Sequence, residues 1–80
     1  MTQKTVNAGE FYKHFKGQLY WVADVVSDAT NGANDIYVYY RAITGGKAYV
    51  RKLDEFASEV DHEKYPDVKQ KYRFEEFRGV

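Results

Sequence analysis

Cysteine is absent from the chain, proline occurs once, and charge of one sign is not in excess: 12 basic residues balance 12 acidic ones. Without cysteine there is no disulfide, no thiolate metal site and no cysteine nucleophile. No run approaches the ~18 apolar residues of a membrane span, and Met1–Asn7 lacks the apolar centre of a signal peptide. The expectation is a soluble cytoplasmic protein with no membrane association. A neutral domain gains little from counterion release along a phosphate backbone, which makes bulk nucleic acid a poor default partner. Neutrality also gives little protection against self-association. Histidine is scarce as well: His14 and His62 stand alone, outside any metal-ligand spacing. The only serines, Ser27 and Ser58, sit in no nucleophile elbow. Adjacent carboxylates such as Asp54-Glu55 and Glu75-Glu76 read as solvated charges, since neighbours on a strand point to opposite faces. Gly45-Gly46-Lys47 lacks the spacing of a phosphate loop. These absences argue against an enzyme, a metal and a cofactor.

What the chain does have is rings. Of its 80 residues, 44% are hydrophobic and 18% aromatic, with eight Tyr, five Phe and one Trp. A domain this small hides only about 60% of the surface its unfolded chain exposes, so large side chains must supply most of the core. Residues 1–9 are polar and aperiodic and read as a loose arm. A single domain follows over residues 10–77, with a short tail at 78–80. The richest stretch is Tyr12 to Val22, in which Gly17 permits a sharp change of direction before a strand beginning near Leu19. Strict alternation along that strand puts Tyr20 and Val22 on one face but fails at Asp24. A bulge there would return Val25 to the core side.

Ser27–Asp35 is a loop by composition, with an Asn31-Gly32 turn. The next strand, Ile36 to Ile43, alternates Ile36, Val38, Tyr40 and Ala42, the expected core face, against Tyr37, Tyr39, Arg41 and Ile43. Thr44-Gly45-Gly46-Lys47 reads as a hairpin turn, because paired glycines supply the positive φ such turns need. Ala48–Lys52 is then a short strand with Tyr49 and Arg51 on one side. Leu53, Phe56, Ala57 and Val60 recur at helical spacing and predict a two-turn amphipathic helix over residues 53–60. Asp61–Lys71 is charged and carries Pro66, which marks an exposed connection. Tyr72–Phe77 forms a closing strand that docks Phe74 on the core, with Phe77 as a second candidate.

The order of these blocks resembles the bacterial family known as domain of unknown function 1653. Its opening pattern is matched by Tyr12, His14, Phe15, Lys16, Gly17, Tyr20 and Val22. The later blocks are Val38-Tyr39-Tyr40-Arg41-Ala42-Ile43, then Tyr49-Val50-Arg51-Lys52-Leu53 with Phe56, and finally Arg73-Phe74. The resemblance implies a mainly β fold: a small, strongly bent SH3-like barrel of about five strands with one short helix, found in bacteria and expected in their phages. It brings no established activity. Asp28-Ala29-Thr30 stands where many relatives have a His-Ser-Glu-like stretch, so no site built on that histidine carries over. Lys52 replaces a usual proline, and Asp61–Lys71 is longer than the family's usual turn.

The candidate site is an aromatic and basic set: His14, Lys16, Trp21, Tyr39, Arg41, Tyr49 and Arg51, with Tyr37 beside them. Arginine forks suit phosphate or carboxylate, and tyrosine and tryptophan faces suit planar rings. The leading expectation is a non-catalytic binding module for a small anionic, ring-bearing ligand such as a nucleotide. The alternative is a protein-interaction module that uses the same face, or a strand edge, to hold a peptide or a second copy of itself. A third reading, nucleic-acid binding by a small barrel, predicts steep loss of affinity with salt. The plainest alternative remains open too: the rings fill the core and the arginines lie over them as lids.

Overall fold

The computed structural model describes residues 6–30 and 32–78, with the backbone alone for 32–34. Five antiparallel strands form one sheet: β1 (Phe11–His14), β2 (Leu19–Asp28), β3 (Gly32–Ala42), β4 (Ala48–Lys52) and β5 (Phe74–Glu76). A single helical turn, α1 (Leu53–Phe56), follows β4. The sheet order is β4-β3-β2-β1-β5.

The bulge expected near Asp24 is present. Val22 pairs with Tyr40, Asp24 with Tyr39 and Val25 with Val38, so one extra residue on β2 returns Val25 to the face of Val22. Val22, Val38 and Tyr40 are buried, and the core continues through Tyr12, Phe56, Phe74 and Val6. The alternation assigned to β3 holds, with Val38 and Tyr40 buried and Tyr37 and Tyr39 on the other face. Between β3 and β4 the glycine pair acts as expected. Gly45 and Gly46 have φ of 87° and 71°, and Ala42 N–H donates to Lys47 O at 2.9 Å to close the turn.

Other expectations shift. β2 runs on to Asp28 and β3 starts at Gly32, because the ladder between these long arms captures most of the segment that composition marks as a loop. Asn31 of the expected turn lies outside the described residues. The two-turn helix is one turn long. Of its predicted inward residues, Phe56, Ala57 and Val60 are buried, and Leu53 is partly buried against the core. After Phe56, however, Ser58 Oγ donates to Glu55 O at 2.6 Å, and Glu59 enters a β-bridge with Tyr72. The serine hydroxyl offers a local partner that competes with helix continuation. Phe74 is in the core as expected, whereas Phe77 is exposed on the opposite face. The arm before the domain is anchored at its end: Val6 is buried, and Gly9 N–H donates to Val22 O at 2.7 Å. Met1–Thr5, the remainder of that arm, and Gly79-Val80 of the tail lie outside the described residues.

The expected closed SH3-like barrel is not formed: among the described residues the sheet is open. A barrel requires a ladder between β4 and β5, and among the described residues that ladder is absent. Side chains span the gap instead. Phe56 of α1 stacks on Phe74 of β5 at 4.1 Å with 5° between ring planes, and the Arg51 guanidinium of β4 lies 5.7 Å from the Phe74 ring centroid. With β5 only three residues long, rings rather than backbone fill the seam. Among the described residues no helix is long and apolar enough to cross a membrane.

Candidate functional site

The sheet register sorts six of the seven expected site residues onto two faces. Residues directly opposite one another on neighbouring strands share a face. His14 is opposite Phe74, Tyr12 opposite Tyr20, Tyr40 opposite Tyr49, and Val38 opposite Arg51. His14, Tyr49 and Arg51 therefore share the inner, core-side face. Trp21 is opposite both Phe11 and Arg41, while Tyr39 is opposite Val50, which places Trp21, Tyr39 and Arg41 on the outer face. Lys16 belongs to the β1–β2 turn. Arg41 does not share a face with Tyr49 and Arg51, because residue 41 is odd in a strand whose even residues face the core.

On the outer face Arg41 is already occupied. It donates from Nη1 to Gly46 O at 3.1 Å and from Nη2 to Tyr39 OH at 3.0 Å, with its guanidinium 5.8 Å from the Tyr39 ring centroid. Its fork ties the β3–β4 turn to its own strand. Beyond it, Phe11, Leu19, Ile43 and Phe77 line a shallow apolar groove of about 530 Å³. Phe11, Ile43 and Phe77 are 44%, 49% and 39% exposed.

The inner face is different in kind. Tyr20, half-buried, packs edge-on against Tyr40, Phe74, Tyr49 and His14, at centroid separations of 5.3, 5.7, 6.2 and 6.4 Å. Tyr40 and Tyr49 stack at 5.5 Å. Edge-to-face and offset contacts in this range are the favourable ring geometries. Arg51 lies against this cluster and donates from Nε to Tyr40 OH at 3.2 Å. Arg73, just before β5, donates from Nε to Ser58 Oγ at 3.2 Å. Each side chain is thus held by its Nε. Among the described residues neither guanidinium has a carboxylate within ion-pair distance.

His14 sits between these cations and the rings. It stacks on Phe15 at 4.4 Å and meets Phe74 edge-on at 4.9 Å. Lys16 N–H lies 3.0 Å from His14 Nδ1, a bond made possible by the tight turn in which Gly17 takes φ of 105°. With Nδ1 accepting, the neutral ring carries its proton on Nε2. Burial first, then the charges of Arg51, Arg73 and Lys16, lowers the His14 pKa from 6.5 to about 4. The ring is therefore neutral at pH 7. Tyr20 is held protonated, its pKa raised by burial and by neighbouring Tyr49 and Tyr40. At neutral pH the polar groups gathered here include two guanidinium groups, an imidazole N–H and phenol hydroxyls. Such a set is rich in donors and carries positive charge, and it suits an anion bearing acceptor oxygens.

A family model described as a protein of unknown function, DUF1653, matches residues 10–76. The chain belongs to the DUF1653 family. No curated protein and no solved structure matches it significantly. In this DUF1653 chain the matched region contains all five strands, α1 and the whole inner-face cluster. Tyr20, Tyr40, Arg73 and Phe74 belong to that cluster but were not among the expected site residues. The signal that could have found the tyrosines was parity: Tyr20 precedes Val22 by two, and Tyr40 is cross-strand to Tyr49. For Arg73 there was none, since its approach to His14 depends on how the 57–73 segment returns to the sheet.

Proposed function

We propose that this DUF1653 domain is a non-catalytic binding module whose inner face takes a small anionic, ring-bearing ligand, with a nucleotide as the type of compound. One observation carries the reading: Arg51 and Arg73, which among the described residues have no carboxylate within ion-pair distance, both bring positive charge to bear on a neutral His14 beside the aromatic cluster. Positive charge gathered without a counter-charge is costly, and a bound anion removes that cost. Arg51 and Arg73 supply the guanidinium donors, with Lys16 adding charge. Tyr49, the most exposed ring of the cluster, offers a stacking surface beside Tyr20. Net neutrality of the whole chain favours a compact anion over a long polyanion.

Catalysis is not part of the reading. A histidine with a pKa of about 4 is a weak base at neutral pH, which argues against general-base chemistry at His14. The test is a thermal-shift panel of nucleoside monophosphates and diphosphates, inorganic phosphate and aromatic carboxylates, run on the wild type, Arg51→Ala and Arg41→Ala. A ligand that stabilises the wild type should raise Tm in proportion to the logarithm of its concentration above Kd. That shift should vanish in Arg51→Ala and survive in Arg41→Ala. Equal shifts in all three proteins, or none in the wild type across the panel, would sink the proposal.

A further inference from the structure

β4 is one edge of the sheet, paired on one side with β3 and open on the other. Its free backbone groups follow from the ladder. Ala42 N–H donates to Lys47 O, so Ala42 and Lys47 form a bonded pair. Bonded and non-bonded pairs alternate along an antiparallel ladder. Tyr40 with Tyr49 and Val38 with Arg51 are then the pairs that exchange bonds; the N–H and C=O of Ala48 and Val50 and the N–H of Lys52 point to the open edge, while the Lys52 C=O, as the N-cap carbonyl of α1, serves the first turn of that helix. Natural edges are commonly blunted by proline, bulges or inward charges. β4 has no proline and its ladder with β3 has no register shift, and its inward charge, Arg51, is engaged by the Phe74 ring and the Tyr40 hydroxyl. Val50, at its centre, is 64% exposed.

We propose that this edge pairs with the same edge of a second copy of the chain, antiparallel about a twofold axis at Val50, to make one continuous ten-stranded sheet. The sequence is self-complementary in that register. Val50 meets Val50 of the partner subunit and Ala48 meets Lys52 of the partner subunit, so the residues whose backbone groups face outward are the ones placed opposite each other. On the inner face Tyr49 lies opposite Arg51 of the partner subunit, twice, which sets a ring against a cation.

Other twofold registers fail. A shift of the axis by one residue, to Tyr49 or Arg51, opposes residues whose backbone groups are already bonded to β3. An axis at Lys52 sets the two lysines against each other, and one at Ala48 places Val50 opposite Gly46 of the turn. Zero net charge removes long-range repulsion between the copies. The inference does not rest on the ligand reading.

The test is sedimentation equilibrium on the full chain from micromolar to near-millimolar concentration, for the wild type, Val50→Lys, Val50→Glu and an equimolar mixture of the two variants. Val50 is exposed, so both variants should fold, which circular dichroism verifies. The wild type should dimerise. Each variant alone sets like charges against each other at the axis and should associate at least about fivefold more weakly. The mixture should associate more tightly than either variant alone. A wild type that stays monomeric throughout overturns the proposal. So does a dimer unaffected by Val50→Lys, and so does a mixture no tighter than its components.

Discussion

Protonation of His14 should destabilise this fold, and the structure sets the pH window and the size. The ordinary pKa of 6.5 applies to the unfolded chain, and about 4 applies in the fold. The folded state thus binds fewer protons than the unfolded state between these values. Stability from the neutral ring is fully present above pH 6.5 and is lost as pH falls towards 4. The difference between the two values corresponds to a ceiling of about 3.5 kcal/mol, at roughly 1.4 kcal/mol per pH unit. His14 is only half-buried, and solvent screens the guanidinium charges around it, so a discounted loss of about 1–2 kcal/mol is expected. Protonation also removes the acceptor that Nδ1 offers to Lys16 N–H.

The assay is urea unfolding followed by Trp21 fluorescence at several pH values from 7.5 to 4.5, on the wild type and His14→Gln. Carboxylates titrate in both proteins, so the difference between the two curves isolates the histidine. The two should diverge below pH 6.5, with the wild type losing more stability. Parallel curves, or an NMR titration placing the His14 pKa between 6 and 7, would refute the reasoning.

Two further predictions concern the seam between β4 and β5. Phe56 is fully buried, stacked on Phe74 and edge-on to Tyr12 and Tyr40. Phe56→Ala should cost about 3–5 kcal/mol, a large part of the stability of so small a domain, and urea denaturation should show the midpoint falling accordingly. Tyr40→Phe removes the hydroxyl that accepts from Arg51 Nε; it should cost about 0.5–1.5 kcal/mol, and it should weaken any anion that Arg51 holds, as read by the ligand-induced thermal shift.

Much of the fold was legible because it depends on local chemistry. The glycine pair at 45–46 made a turn where positive φ was required, and Asp24 disrupted alternation so plainly that the bulge could be placed beforehand. The inward set Phe56, Ala57 and Val60 was also correct, although the chain leaves the helix after one turn. Burial follows the spacing of apolar residues, while helix length was decided by the Ser58 hydroxyl and the bridge from Glu59 to Tyr72. Barrel closure was not legible, since it depends on whether two distant edges meet, and here Phe56 and Arg51 fill the place between them.

The candidate site was legible by residue type and not by face. Arginines 41 and 51 look alike in sequence, each flanked by a tyrosine two positions before it. Odd numbering puts Arg41 outward on β3, whereas the turn register puts Arg51 inward on β4. Only the ladder between the strands distinguishes an arginine that ties down its own hairpin from one that lies against the inner ring cluster.

The most direct measurement of the central proposal is an amide NMR titration of the wild type with a nucleoside monophosphate. Saturable shifts should gather at His14, Lys16, Tyr20, Tyr49, Arg51 and Arg73, leave Arg41 and Trp21 largely unmoved, and disappear in Arg51→Ala. Shifts centred on the outer face around Phe11 and Ile43, or the same inner-face pattern persisting in Arg51→Ala, would contradict it.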